Sequence, residues 1–262
     1  MKNRSDILFL LPSLAGFLIF FILPFFYSFT YAFTESAFIR KFVWFDNFKH
    51  LLQNEFFRLA MKNTGMFTLF AVPLIMILSI MIALLIVRFA GKLPFVKSAF
   101  FLPVILPSAT IVMLWQAYFN DTIPPFPSLL VIYLWKYSGL NIMLILTALT
   151  AMNKDMLDAA RIDGAGMVRI TWTVTLPNIA PTLFFTFVLS IVNSLKVFRE
   201  SFLLYSNYPD DSVYMLQNYL NNHFQKLNYQ NISTAAIIFA VIVYTVVAFI
   251  FVAEKKWSDS IW

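Results

Sequence analysis

From its N-terminus, the chain alternates long apolar runs with short polar stretches. Six runs approach the roughly 20 residues a helix needs to cross a bilayer. They cover residues 7–29, 64–87, 99–119, 129–152, 180–205 and 233–253. The pattern predicts an all-α fold, a polytopic membrane helical bundle with six transmembrane helices. The first run is too long for a secretory signal and lacks a small-residue cleavage site after it, so it is expected to remain as a span. Pro12, Pro24, Pro73, Pro103 and Pro107 fall inside runs, where each removes a backbone donor and is expected to kink its helix.

The polar stretches suggest three regions: an N-terminal segment with the first span over 1–34, an outer amphipathic connection over 35–63, and a core of five spans over 64–262. The connection carries Phe42-Val43-Trp44-Phe45, then Phe48, Leu51, Leu52, Phe56 and Phe57. That mixture suits a membrane interface, or equally a loop whose aromatics pack on the bundle. Residues 120–127 make a short Pro-rich outer turn, and 206–232 form a polar outer segment long enough to meet a partner. Asn231-Ile232-Ser233 fits a glycosylation triplet, but such triplets arise often by chance and it is assigned no role.

The stretch 153–181 is a polar island with its own helix signals. Asn153 is placed to cap a helix whose first turns hold Asp155 and Asp158, acids that favour the positive end of the helix dipole. Gly164 and Gly166 suit its end. A second helix fits 167–176, with Met167, Ile170, Thr171 and Val174 on one face. Pro177 is expected to stop it. Helix, turn and helix together describe either a docking element at the membrane surface or a solvated connection.

Composition agrees with a membrane protein: 60% of residues are hydrophobic and 12% charged, against about a quarter charged in soluble domains. The net charge of +6 is scattered and not gathered into a stripe, which argues against nucleic-acid binding. With no cysteine, disulfides and thiolate metal sites are excluded. If the N-terminus is inside, the inner segments hold Lys2, Arg4, Arg88, Lys92, Lys97, Lys154, Arg161, Arg169, Lys255 and Lys256. The outer ones hold Arg40, Lys41, Lys49, Arg58, Lys62 and Lys226, so both termini and the 153–181 island are expected in the cytoplasm.

Catalytic chemistry finds no place. The sequence has no Gly-x-x-x-x-Gly-Lys-Ser/Thr loop, so no phosphate cradle of its own. His50 and His223 lie in different outer segments, and Asp210-Asp211 lies in a loop. We therefore expect no catalytic residue and no metal site. Glu200 is the one clear acid within a span, which argues against a proton-driven carrier.

Polar residues inside spans are costly unless they face inward. Ser190, Asn193 and Ser194 share a helix face, with Lys196 nearby; Tyr137 and Asn141 group with Lys136 and Trp135. Hydroxyls, amides and a ring suit a sugar. The same groups also serve ordinary interhelical hydrogen bonds. Lys136 and Lys196 are open to three readings: snorkelling, pairing with Glu200, or contact with an acidic cargo.

The run Asp158-Ala159-Ala160-Arg161-Ile162-Asp163-Gly164-Ala165, followed by Leu176-Pro177 and Pro181, resembles the cytoplasmic coupling loop of ABC-importer permeases. The first span, with Leu-Phe-Leu-Leu-Pro-Ser-Leu-Ala-Gly-Phe and a later Leu-Pro-Phe-Phe-Tyr-Ser-Phe, extends the resemblance along nearly the whole chain. It is most similar to the sugar-importer group exemplified by the maltose transporter, and there to the first of two permease partners. Two positions depart from the family pattern: Asp158 stands for its Glu, and Thr171 for its Phe, with Trp172 beside it.

The resemblance implies a permease subunit that forms half of a heterodimeric pore in the cell membrane. Two ATP-binding subunits would hold ATP and Mg, and an external binding protein would deliver a sugar or oligosaccharide. It implies ATPase coupling through Asp158, Ala159, Ala160, Asp163, Gly164, Ala165, Leu176 and Pro177. It also tips Tyr137, Asn141, Ser190, Asn193 and Ser194 towards a substrate pathway. Polyamine, phosphonate or oxyanion cargo, or an ATP-independent carrier, are the alternative readings.

Overall fold

A computed structural model describes residues 4–35, 41–89, 94–119 and 122–261. Lys2, Arg40, Lys92 and Asn120, used above, lie outside the described residues, as do the side chains of Arg4, Lys97 and Lys256.

The described residues form helices: α1 (Arg4–Phe17), α2 (Leu23–Tyr31), α3 (Asp46–Gln53), α4 (Glu55–Phe89), α5 (Pro94–Ile105), α6 (Ser108–Phe119), α7 (Pro125–Ala151), α8 (Lys154–Ile162), α9 (Met167–Ile170), α10 (Leu176–Asn178), α11 (Ala180–Leu195), α12 (Phe198–Tyr205), α13 (Leu216–Gln225) and α14 (Tyr229–Ile261). Five stretches are long and apolar enough to span: Leu10–Tyr31, Glu55–Phe89, Pro125–Ala151, Ala180–Tyr205 and Tyr229–Val252.

The sixth expected span is not a rod. Ala99–Ile105 and Ser108–Phe119 meet at 111°. Pro107 has no amide hydrogen and holds the residue before it out of the helical region. Its own carbonyl accepts from Ile111 N at 3.2 Å and so starts α6. At the other prolines the chain stays helical. Pro12, Pro73 and Pro103 sit within α1, α4 and α5, and Pro24 follows a π-turn over Leu18–Ile22 in which Leu23 N reaches back to Leu18 O.

The chain divides into two compact units. The first comprises 1–58 and 219–245. Its span Leu10–Tyr31 buries none of its apolar window, which suits a helix facing lipid. Ser28 and Ser233 hydroxyls meet at 3.2 Å, and the Tyr31 and Tyr229 rings stack at 5.7 Å. Phe57 packs edge-on against Tyr219.

The second unit comprises 59–218 and 246–262. One core gathers Phe67, Ala71 and Ile75 from α4, Leu129 and Tyr133 from α7, and Val197, Val213 and Met215. A second gathers Ala83, Ile86, Ile142, Ile145, Leu149 and Ile179. Gly139 lets α7 approach the α5 backbone so closely that a Cβ there would collide with the Phe100 carbonyl. The Asn63 amide donates to the carbonyls of Asp211 and Tyr214 and the Thr64 hydroxyl accepts from Leu216 N, which tie the stretch after α12 to α4.

Candidate functional site

The polar island is built by backbone chemistry. Asn153 Oδ1 accepts from Asp155 N at 2.9 Å and caps α8. At the other end Ala165 N donates to Ala160 O and Gly164 N to Arg161 O, the paired bonds of a Schellman turn. Gly164 takes φ +77, a left-handed value that glycine reaches without a Cβ penalty. The turn therefore closes on main-chain bonds. Among the described residues the exposed Asp163 side chain makes none of them. Asp158 pairs with Arg161 at 2.8 Å on the exposed surface.

Pro177 does not stop the second helix as expected. A π-turn over Thr171–Thr175 precedes α10, and Leu176 N reaches back to Thr171 O. The wider turn moves the carbonyl that the proline ring would strike, so the chain stays helical through Pro177 and breaks at Ile179. Three of the four predicted face residues, Ile170, Thr171 and Val174, are partly buried, and Met167 is exposed and takes a contact from Arg88 at 3.1 Å. On the outside the island shows Ile162 (87% exposed), Val168 (73%) and Trp172 (69%). Ala159 is exposed, while Ala160, Ala165, Leu176 and Pro177 are half-buried.

The polar residues of the spans are mostly engaged with one another. Asn141 Nδ2 donates to Ser190 Oγ at 2.8 Å, and Tyr133 OH donates to Ser190 O at 2.8 Å, joining α7 to α11. Ser190 Oγ also bonds Thr186 O, and Ser194 Oγ meets Thr68 Oγ1 at 2.9 Å. Asn193 is buried, and among the described residues its amide has no hydrogen-bond partner. Tyr137 is half-buried, with Lys136 Nζ 5.1 Å from its ring centre. Lys136 forms a buried ion pair with Glu200 at 2.5 Å. Ser108, first residue of α6, donates to the same carboxylate oxygen at 2.7 Å. Lys196 is exposed.

Among the described residues of this unit, two of the cavities bear on the spans. One of about 550 Å³ is apolar, lined by Phe100, Pro103, Trp115, Trp135 and Ser138 among others. The other, about 560 Å³, is more polar, with Gln116, Thr122, Ser128 and Tyr205 in its wall. None of Tyr137, Asn141, Ser190, Asn193 or Ser194 lines either.

Sequence reasoning missed Thr68, Ser108, Tyr133 and Thr186. Tyr133 precedes Tyr137 by one helical turn and Thr186 precedes Ser190 by one turn, so both were visible as polar neighbours on a shared face. Thr68 and Ser108 come from other spans, and no spacing rule reaches them. Among the described residues no group of three metal-binding side chains occurs.

A family model described as the binding-protein-dependent transport system inner membrane component matches residues 63–255. The chain belongs to this family. Among similar members, a probable ABC transporter permease protein of Mycoplasma genitalium is 27% identical over 231 residues, covering 78% of this chain and 70% of its own. The multiple sugar-binding transport system permease protein MsmF of Streptococcus mutans is 27% identical over 230 residues, covering 78% and 79%. In fold, this inner membrane component is similar to a chain of a bacterial alginate ABC transporter crystallised with its alginate pentasaccharide-bound periplasmic protein. There the TM-score is 0.81 at 24% identity, over 97% of this chain and 96% of that one.

Proposed function

We propose that this chain is the transmembrane subunit of an ATP-driven ABC importer and forms half of the pathway for a sugar or oligosaccharide. The observation that carries the proposal is the exposed apolar surface of the island, Ile162, Val168 and Trp172, on a turn held rigid by its own backbone. Water does not favour such a surface, and a partner subunit that covers it gains the burial. A rigid turn also passes on a push without absorbing it.

In this reading two partner ATPase subunits bind ATP and Mg, and one of them receives residues 158–181. A second permease completes the pore, and an external binding protein delivers the cargo. Both termini lie on the cytoplasmic side. Sugar as cargo is supported by the likeness to MsmF and to the alginate transporter. The pairing of Lys136 with Glu200 engages that lysine inside the protein, so it gives no support to a polyamine or oxyanion cargo. It also weighs against a proton carrier, since the one clear acid of the spans is taken up by Lys136 and Ser108 inside the protein.

The test is gentle extraction of the tagged chain from its native membrane, with mass spectrometry of what co-purifies. A Walker-motif ATPase and a second six-span permease are expected. Recovery of the chain alone, with uptake intact, would overturn the proposal.

A further inference from the structure

The connection between the first two spans is folded into a defined aromatic cluster. Asn47 Nδ2 donates to Ala32 O at 3.0 Å and to Thr34 O at 2.9 Å, which clamps α3 to the end of α2. Val43 N donates to Phe33 O at 2.9 Å, and Thr34 and Phe42 form a single antiparallel bridge. Phe33 thereby becomes a hub: it stacks on Phe42 at 6.0 Å, meets Phe45 edge-on at 6.0 Å and touches Phe48 at 5.3 Å. Trp44 stands edge-on to Phe42 at 4.9 Å.

The outward side of this cluster is unusual. Phe42, Trp44 and Phe45 are 54%, 68% and 65% exposed although their backbones are fixed. Trp44 has φ 50, in the left-handed region that bulky residues rarely occupy. Such strain persists only where the surroundings enforce it. Here it holds an indole outward beyond the end of a span whose apolar window is wholly unburied and which exposes Phe25, Phe26 and Phe29.

We propose that Phe42, Trp44 and Phe45 form a preformed anchor in the headgroup–acyl boundary of the bilayer, with lipid itself as the partner. The exposed Phe29 ring of the span meets the Phe33 hub at 5.3 Å and so links the span to the cluster. An indole has an apolar body and one N–H donor, which suits a boundary that is oily on one side and wet on the other. Residues 35–49 hold Arg40, Lys41 and Lys49 against Glu35 and Asp46, a net of one positive charge, so apolar contact and not charge is the main term. A folded cluster also reaches the interface without the ordering cost of a flexible loop.

The experiment places the photoreactive amino acid p-benzoylphenylalanine at position 44, and separately at 45, in the full chain in its native membrane. Position 20, in the lipid-facing span, serves as the reference. After irradiation the tagged chain is isolated and weighed. The proposal expects a lipid-sized mass shift at 44 and 45 as at 20, with a yield that salt does not change. A cross-link to a protein chain would overturn it in favour of a protein-docking surface. No adduct at 44 and 45 while position 20 reacts would overturn it in favour of a water-exposed loop.

Discussion

Lys136 Nζ stands 2.5 Å from Glu200 Oε1, with both side chains buried and Ser108 bonded to the same oxygen. The three residues come from α7, α12 and the start of α6, so the contact joins the helices that follow two breaks in the chain, at Pro107 and at Lys196–Val197. Removing one partner leaves the other charge stranded. Lys136→Met or Glu200→Leu alone is expected to cost about 3–5 kcal/mol, and the double change much less, since a buried pair replaced by apolar residues is often near neutral. Thermal unfolding of the solubilised complex for wild type, both singles and the double checks this. Additive losses would show that the pair is not coupled.

Two neighbouring changes in the island separate its turn from its surface. Gly164→Pro cannot take φ +77 and should break the Schellman turn. Asp163→Arg leaves the turn bonds intact, because the exposed carboxylate makes none of them. Both are expected to abolish recovery of the ATPase with the tagged chain while the amount inserted stays unchanged for Asp163→Arg. Uptake that survived both would sink the coupling role.

Asn193 and Asn141 should behave differently. Asn141→Ala removes the bond to Ser190 inside the protein and is expected to cost about 1–3 kcal/mol of stability. Asn193→Ala removes no such bond. If Asn193 faces the cargo, uptake should fall while the unfolding midpoint stays within about a degree of wild type, the shift expected of a change of a few tenths of a kcal/mol. An unchanged uptake rate would remove Asn193 from the pathway.

At Gly139 the prediction is steric. Gly139→Ala drives a methyl into the Phe100 carbonyl, and backbone cannot rotate away as a side chain does. Overpacking of this kind costs about 1–3 kcal/mol. Gly65→Ala, where a Cβ meets nothing within 4 Å, is the matched control. Expression and unfolding of the two variants should differ clearly.

His223 gives a pH dependence. Burial first, and then the nearby Lys226 charge, hold its imidazole below the ordinary value of 6.5. The folded form therefore prefers the neutral ring, which packs 4.2 Å from Tyr219. Its contribution to stability is whole above pH 6.5 and is lost as pH falls towards the lowered folded value. The unfolding midpoint should drop between pH 7.5 and 5, and His223→Gln should flatten that slope.

Much of this was legible in the sequence. Asn153 as a cap and Gly164 as a helix end follow from local rules, and both hold in the structure. The island's length and its turn are set by residues close in sequence, which is the range over which such rules work. Pro107 and Pro177 show where they stop. Both are prolines in apolar surroundings, yet one ends a helix at a 111° bend and the other rides through on a π-turn. The difference is that the turn before Pro177 is widened, whereas α5 ends as an ordinary helix at Ile105 before Pro107, and no local rule separates the two. The same limit applies to Lys136. Sequence left three fates open for it; the choice of Glu200 depends on a fold that brings α7 beside α12.

The wide turn at Thr171–Thr175 also changes what a residue count means. Leu176 N bonds Thr171 O, five residues back, where a regular helix would use four. The turn thus carries one residue more than an α-helical path, and each residue is worth roughly 100° around the axis. The wide turn absorbs that residue, so deleting one residue within 173–175 would let an ordinary α-turn close and leave Val168 at about its present bearing relative to Leu176. Between Ala165 and Leu176, a count of residues overstates the α-helical path by the one residue that the wide turn takes up.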